Sequence, residues 1–200
     1  MAGLAELGFE VSAQQVASLL ELAQLLERWS GRINLSGHRD ARAIVRRLIL
    51  DGAALCSALP SLESLADIGS GAGFPGLPVA ILREGCEVTL VESRERRHHF
   101  QREAIRRLGL RHVRAVLGRA ERLEPVPHSA AIAQAVARPA AALPLIYPWV
   151  EVGGLLLLPG AHPAPQLPQG DPRILFESTA LYRVPLGGPE RSLQTARRII

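Results

Sequence analysis

Ala66-Asp67-Ile68-Gly69-Ser70-Gly71-Ala72-Gly73-Phe74-Pro75-Gly76 decides how this chain folds. The apolar run leading into it, residues 62–68, carries an acidic residue near its end and then meets glycine at three alternate positions. Residues 77–82 follow with helix-forming side chains. The order is strand, tight turn, helix. Glycine permits the turn's unusual dihedrals and lets backbone N–H groups approach a ligand with no Cβ in the way. Nucleotide-type ligands bind at the carboxyl ends of strands in such α/β units.

Two cofactor classes compete for this turn. A dinucleotide site uses G-x-G-x-x-G, with the pyrophosphate on the helix N-terminus. Here the spacing is G-x-G-x-G-x-x-G, and Asp67 stands two residues before the first glycine. A carboxylate directed into the turn suits a cationic ligand better than a pyrophosphate, because like charges repel. S-adenosyl-L-methionine has no phosphate and carries an ammonium and a sulfonium. Glu92 lies 19 residues beyond Gly73, at the end of the next apolar run, where a carboxylate can hold both ribose hydroxyls. Asp67, Gly69, Ser70, Gly71, Gly73 and Glu92 are therefore expected to bind S-adenosylmethionine, in preference to a dinucleotide or a ligand-free turn.

Outward from the turn, the pattern alternates strand and helix. Strands are expected at 62–68, 87–91, 113–117, 130–136 and 153–158, with helices at 75–83, 94–108 and 139–150. Such alternation gives a parallel sheet covered on both faces. Residues 159–172 contain five prolines and read as a loop. After it, 174–184 and 193–200 read as strands joined at Leu186-Gly187-Gly188-Pro189, an antiparallel hairpin that finishes the sheet. Upstream, Ser12-Ala13-Gln14-Gln15 matches a capping box. Val16, Leu19, Leu20, Ala23, Leu26 and Trp29 then recur at helical spacing as one apolar stripe. Asn34 and Ser36 either cap the next helix, form a turn or face a substrate. A second helix is expected over 40–59, with Ile44, Leu48, Leu55 and Leu59 on one side and Arg39, Arg42, Arg46 and Arg47 as a basic face, solvated or in contact with nucleic acid. Residues 1–60 thus form a helical extension and 61–200 the sheet domain.

A chain of 200 residues is long enough to bury a substantial core. It has no apolar run near the ~20 residues that span a bilayer and no visible signal peptide. Cys56 and Cys86 fit no metal or redox spacing and read as buried thiols in a reducing cytoplasm. No metal and no membrane partner are expected. The net charge of +4 and pI near 10.0 suggest an anionic partner. All 23 basic residues are arginine, and ten of them fall between Arg94 and Arg122. On the helix over 94–108, Phe100, Ala104, Ile105 and Leu108 make the buried stripe, while Glu95, His99, Glu103 and Arg107 recur every four residues and can pair. Arg94, Arg96 and Arg97 stand at the carboxyl edge of the sheet, either solvated or on phosphates. Arg119, at the end of the third strand, either orients substrate or pairs with Glu121 or Glu124.

These residues together resemble the bacterial small-subunit (16S) ribosomal RNA guanine-N7 methyltransferase G family, also called glucose-inhibited division protein B, from about Leu20 to the C-terminus. The most specific piece is the Gly-rich stretch with Phe74-Pro75-Gly76 after its third glycine. Glu92-Ser93 followed by Arg96-Arg97 and Phe100 is similar to the family's second-strand motif, and Gly118-Arg119-Ala120-Glu121 to its third. Trp29, Asn34-Leu35-Ser36, Leu50-Asp51 and Arg191 match further positions. The resemblance implies a class I (Rossmann-like) S-adenosylmethionine-dependent methyltransferase fold: an α/β, mostly parallel sheet with a C-terminal antiparallel hairpin and an N-terminal helical extension. It adds Phe74, Ser93, Ala120, Glu121 and Gln134 to the cofactor site, with the adenine on Ala120 and Glu121. It adds Asn34 and Arg191 to Arg94, Arg96 and Arg97 as RNA-binding residues, and Arg138 to Arg119 as substrate-orienting. The implied activity is methyl transfer to N7 of a guanine in small-subunit ribosomal RNA, on the RNA or the small ribosomal subunit, by a cytoplasmic monomer. This chain departs from the family at four places: Gln134 replaces an arginine, Pro159 a lysine, Leu48 a histidine and Gly52 a serine.

Guanine N7 carries an exposed lone pair, so no proton has to leave before it attacks the methyl group, and positioning alone can lower such a barrier by about 7–11 kcal/mol. The absence of an obvious general base fits N7 transfer and argues against O-methylation. Exocyclic-amine enzymes carry Asx-Pro-Pro-aromatic after the fourth strand, where this chain reads Ala137-Arg138-Pro139-Ala140. Cytosine C5 chemistry needs a cysteine nucleophile, and neither cysteine falls at the site. The competing readings are a methyltransferase of the same fold acting on a small molecule or protein, and a non-catalytic cofactor- or RNA-binding relative.

Overall fold

Seven strands make one sheet in the order β3-β2-β1-β4-β5-β7-β6. The computed structural model describes residues 2–8, 10–31, 35, 37, 40–135, 138–168 and 170–200. Strands β1 (Ser64–Ile68), β2 (Glu87–Glu92), β3 (Val113–Leu117), β4 (His128–Ile132) and β5 (Val150–Ala161) run parallel. The hairpin of β6 (Ile174–Arg183) and β7 (Glu190–Arg198) closes the sheet, with β7 antiparallel to both neighbours. The expected mostly parallel sheet with a C-terminal hairpin is thus present. Alternate side chains feed two cores: Leu65 and Leu157 enter one, Ala66, Ile68, Leu156 and Leu158 the other. Strands buried on both faces must be apolar throughout, which is why they read as runs.

Helices α5 (Gly76–Leu82) and α6 (Glu95–Leu108) cover one face, and α7 (Pro139–Ile146) covers the other. The N-terminal helices α1 (Ala2–Ala5), α2 (Ala13–Ser30), α3 (Ala41–Ile44) and α4 (Leu50–Ala58) pack onto the α5–α6 layer and share its core. The capping box forms: Gln15 N–H donates to Ser12 Oγ (3.1 Å) and Ser12 N–H to Gln15 Oε1 (2.9 Å). Gln15 Nε2 also donates to the carbonyls of Ile81 and Leu82, satisfying the end of α5. Trp29 meets Phe100 edge-on, ring centroids 5.7 Å apart, and so joins α2 to α6.

Several expectations shift. Leu20 is half exposed, and Leu22 and Leu25 take its place in the core. The helix expected over 40–59 is interrupted by a π-helical turn, Val45–Ile49, and residues 50–56 after it are all buried. Asp40 caps its start, donated to by Ala43 N–H at 2.8 Å; Asn34, Ser36 and Arg39 lie outside the described residues. Strand β4 stops at Ile132, short of the expected 136, and Val136 is also outside the described residues. Strand β5 is longer than expected and includes Pro159, opposite Leu193. The two thiols are buried and unbridged.

Candidate active site

The Gly-rich turn sits at the carboxyl end of β1. Its three alternate glycines are dictated by backbone geometry: Gly69, Gly71 and Gly73 have φ of 70°, 60° and 83°, the left-handed region that costs other residues energy. The turn is stitched to β2 by Gly69 N–H and Ser70 N–H on the Val91 carbonyl (2.8 and 3.1 Å), and to itself by Gly73 N–H and Phe74 N–H on the Ser70 carbonyl. Gly71 faces open space; an added Cβ would have only Arg97 Nη1 (3.8 Å) and Gly69 O (4.0 Å) for neighbours. Phe74 packs against the core below.

Asp67 is buried, and Gly76 N–H donates to its Oδ2 at 2.8 Å. This hydrogen bond fixes the start of α5. Any side chain at Gly76 would strike Leu90 at 2.4 Å and Asp67 Oδ2 at 2.9 Å. Burial pushes the Asp67 carboxyl up to about 7; the Gly76 N–H opposes the rise and the neighbouring Glu92 charge adds to it.

Glu92, also buried, is clasped at both oxygens. Gly71 N–H donates to Oε2 (2.9 Å), Arg94 N–H to Oε1 (2.7 Å) and Ser93 Oγ–H to Oε1 (3.4 Å), while Arg97 Nη1 lies 3.8 Å from Oε2. A carboxylate has about four acceptor positions; three are taken here, so one is free for a hydroxyl donor and displacing the long 3.4 Å Ser93 contact frees a second. Arg97 is half-buried on Glu92, whereas Arg94 and Arg96 are exposed. The expected pairing along α6 is only partly present: His99 lies 3.8 Å from Glu95, but Glu103 binds Arg106 and Arg107 reaches Glu21 on α2.

Gln101 escaped the sequence reading. It is fully buried on α6 and donates Nε2 to Ser70 Oγ and to the Gly71 carbonyl, both at 2.8 Å, while no described group reaches its Oε1. Its signal in the sequence was an uncharged polar residue next to Phe100 on the apolar side of a highly charged helix.

Three arginines occupy the positions that open the elements after β2, β3 and β4: Arg94 before α6, Arg119 before the 3₁₀ turn Ala120–Arg122, and Arg138 before α7. All three are exposed, and none caps its helix through its side chain. Among the described residues Arg119 has no ion pair, with Glu121 and Glu124 exposed beside it. Ala120 is half-buried against the second core.

Gln134 and Arg191 converge on Asp51, which the sequence marked only as part of the resembling Leu50-Asp51 pair, with no role assigned. Gln134 Nε2 donates to Asp51 Oδ2 (3.3 Å), Arg191 Nε to Oδ1 (3.3 Å) and Arg191 Nη2 to Oδ2 (3.5 Å). Burial raises the Asp51 carboxyl, opposed by the Arg191 charge and by hydrogen bonds from Arg191 and Gln134. Its signal was one acid in the otherwise apolar run of α4.

The cradle fits an S-adenosylmethionine-type ligand: a turn without side chains, open at Gly71, flanked by two buried carboxylates that would repel a pyrophosphate. Among the described residues no cluster of histidine, cysteine and acids could hold a metal, and no helix is long and apolar enough to cross a membrane. Solved methyltransferases share the architecture. M. jannaschii TYW2 in complex with AdoMet superposes with a TM-score of 0.57 at 15% identity, over 76% of this chain and 76% of that one. A SAM-dependent methyltransferase from Aquifex aeolicus gives 0.57 at 14% identity, over 78% and 93%. The fold is that of the class I S-adenosylmethionine-dependent methyltransferases. Within that class the sequence is more particular, since the profile described as rRNA small subunit methyltransferase G matches residues 15–194. The ribosomal RNA small subunit methyltransferase G of Chromohalobacter salexigens is 35% identical over 98% of this chain and 95% of its own length. This chain belongs to the rRNA small subunit methyltransferase G family.

Proposed function

We propose that this chain transfers the methyl group of S-adenosylmethionine to N7 of a guanine in small-subunit ribosomal RNA. The observation that carries the reading is one edge of the sheet bearing both a cofactor cradle with two buried carboxylates and an exposed row of arginines. Asp67 faces the cofactor's ammonium side, and Glu92, held open by Gly71 and Arg94, takes the ribose hydroxyls. Ser70, Gly69, Gly73 and Phe74 shape the floor, Ser93 steadies Glu92, and Ala120 and Glu121 line the adenine. Gln134 closes the substrate side. Bound S-adenosylmethionine supplies an electrophilic methyl group on a sulfonium; the protein's own work is to place the base, because N7 needs no deprotonation.

Arg94, Arg119 and Arg138 hold RNA phosphates, joined by Arg96. A cation at the start of a helix opposes the helix dipole and cannot accept the free N–H groups there. Stability of α6 and α7 therefore gives no reason for arginine at 94 and 138, whereas a polyanion at this edge does. Arg119 and Arg138 orient the substrate through those phosphates, Asn34 is a further RNA-binding residue, and Arg97 serves the cofactor side through Glu92. Residues 1–60 act as a helical extension of the methyltransferase domain at 61–200, and the protein works as a cytoplasmic monomer on the small ribosomal subunit.

Equilibrium binding to small-subunit ribosomal RNA across a salt series tests the reading. Replacing Arg94, Arg119 or Arg138 singly with Gln is expected to reduce the slope of log affinity against log salt by about one each. Slopes unchanged in all three variants would remove RNA from this edge.

A further inference from the structure

Arg191 differs from the exposed arginines at the carboxyl edge, and from Arg97, whose half-buried guanidinium meets Glu92 by one contact at 3.8 Å. Arg94, Arg96, Arg119 and Arg138 are exposed. Arg191 is half-buried at the start of β7, opposite Ala161 at the end of β5, and its guanidinium is pinned through Nε and Nη2 to the two oxygens of Asp51. Asp51 is itself buried, on the first turn of α4 beyond the π-helical turn. Gln134 Nε2 donates to the same carboxylate from the end of β4. Three elements distant in sequence therefore meet at one acid.

A mobile cation suffices for a phosphate, which carries charge and no base identity; reading a base requires a donor fixed in direction. Guanidinium is planar, so engaging its Nε–Nη2 side orients the remaining N–H groups on Nη1 and Nη2. Guanine offers O6 as an acceptor next to N7, whereas adenine carries a donor amine at that position. Resting on the proposed function above, we infer that Arg191 donates its free N–H groups to O6 of the target guanine, leaving N7 open, and that Asp51 is the positioning residue that aims it. Asp51 acts through Arg191 and touches neither base nor cofactor. Gln134, neutral and hydrogen-bonded to Asp51, leaves Arg191 as the cation on this carboxylate among the described residues.

The test is steady-state methylation of small ribosomal subunits lacking N7-methylguanine, with cofactor affinity measured by calorimetry. Arg191→Lys keeps the charge and loses the planar fork; Asp51→Asn keeps the shape and loses the pin. Each is expected to lower kcat/KM for subunits by about 10- to 100-fold, with the cofactor Kd within twofold and the salt slope of subunit binding unchanged. Asp51→Asn introduced into Arg191→Lys is expected to cost less than threefold more, because the two act as one unit. Additive losses, a salt slope reduced by about one in Arg191→Gln, or a parallel loss of cofactor binding would overturn the inference. A wild-type protein that methylates no RNA overturns the proposed function and this inference together. A wild-type protein that methylates while both variants match it overturns the inference alone.

Discussion

At the scale of single residues, Asp67 does two jobs that pull against each other. It anchors Gly76 N–H at the head of α5, and it keeps a buried carboxyl near the cofactor cradle with no cation paired to it among the described residues. Its value of about 7 lies above the ~3.9 of an unfolded aspartate. The stability it contributes is therefore present below about pH 4 and is lost as pH rises through about 7 in the ligand-free protein. A bound ammonium reverses the preference and favours the ionised form. Cofactor affinity is then expected to fall as pH drops from 8 to 6, by at most about tenfold per unit below 7. Asp67→Asn, which can still accept from Gly76, should bind more weakly at pH 8 and show a flat profile by calorimetry; an unchanged profile in the variant would assign the titration to another group. Gln101 offers a second check. Gln101→Leu removes both donors that hold Ser70 and Gly71, each a net ~1 kcal/mol hydrogen bond. Cofactor Kd should rise about tenfold or more while the protein still unfolds cooperatively.

At the scale of elements, α6 ties the cofactor turn to the N-terminal helices. Phe100 is fully buried and meets Trp29 of α2, so Phe100→Ala should cost about 3–5 kcal/mol in denaturant unfolding, by cavity and transfer terms together. A loss below ~1 kcal/mol would show that α2 and α6 are not packed as described. Elements encoded locally were legible in the sequence: apolar runs became β1, β2 and β3, Ser12 and Gln15 capped α2, and Gly187 turned the last hairpin. Elements that depend on distant partners were less so. Strand β5 continues through Pro159 because β7 pairs with it, and β4 stops at Ile132 although the apolar residues run on. The π-helical turn at Val45–Ile49 has no side-chain signature of its own, and Asp51 follows it in a stretch, 50–56, that is buried throughout. The site divides the same way. The glycines and Glu92 follow from spacing along one strand–turn–helix unit. Asp51 and Arg191 are 140 residues apart, and nothing local in either one announces the other.

At the scale of the whole molecule, topology gathers the chemistry on one edge. Parallel β1, β2, β3 and β4 end there, and β7, running antiparallel, begins there with Arg191. The cofactor cradle, the arginine row and the Asp51 junction thus share a side without being near one another in sequence. The chain's own turnover is therefore the decisive quantity. The most direct measurement is transfer from methyl-labelled S-adenosylmethionine to small ribosomal subunits lacking N7-methylguanine, with the label mapped by nuclease digestion and mass spectrometry. Label on N7 of one guanine is the result expected, abolished in subunits already methylated there. Cofactor binding without any label in the RNA would contradict the account and mark the chain as a member of the family that acts on something else.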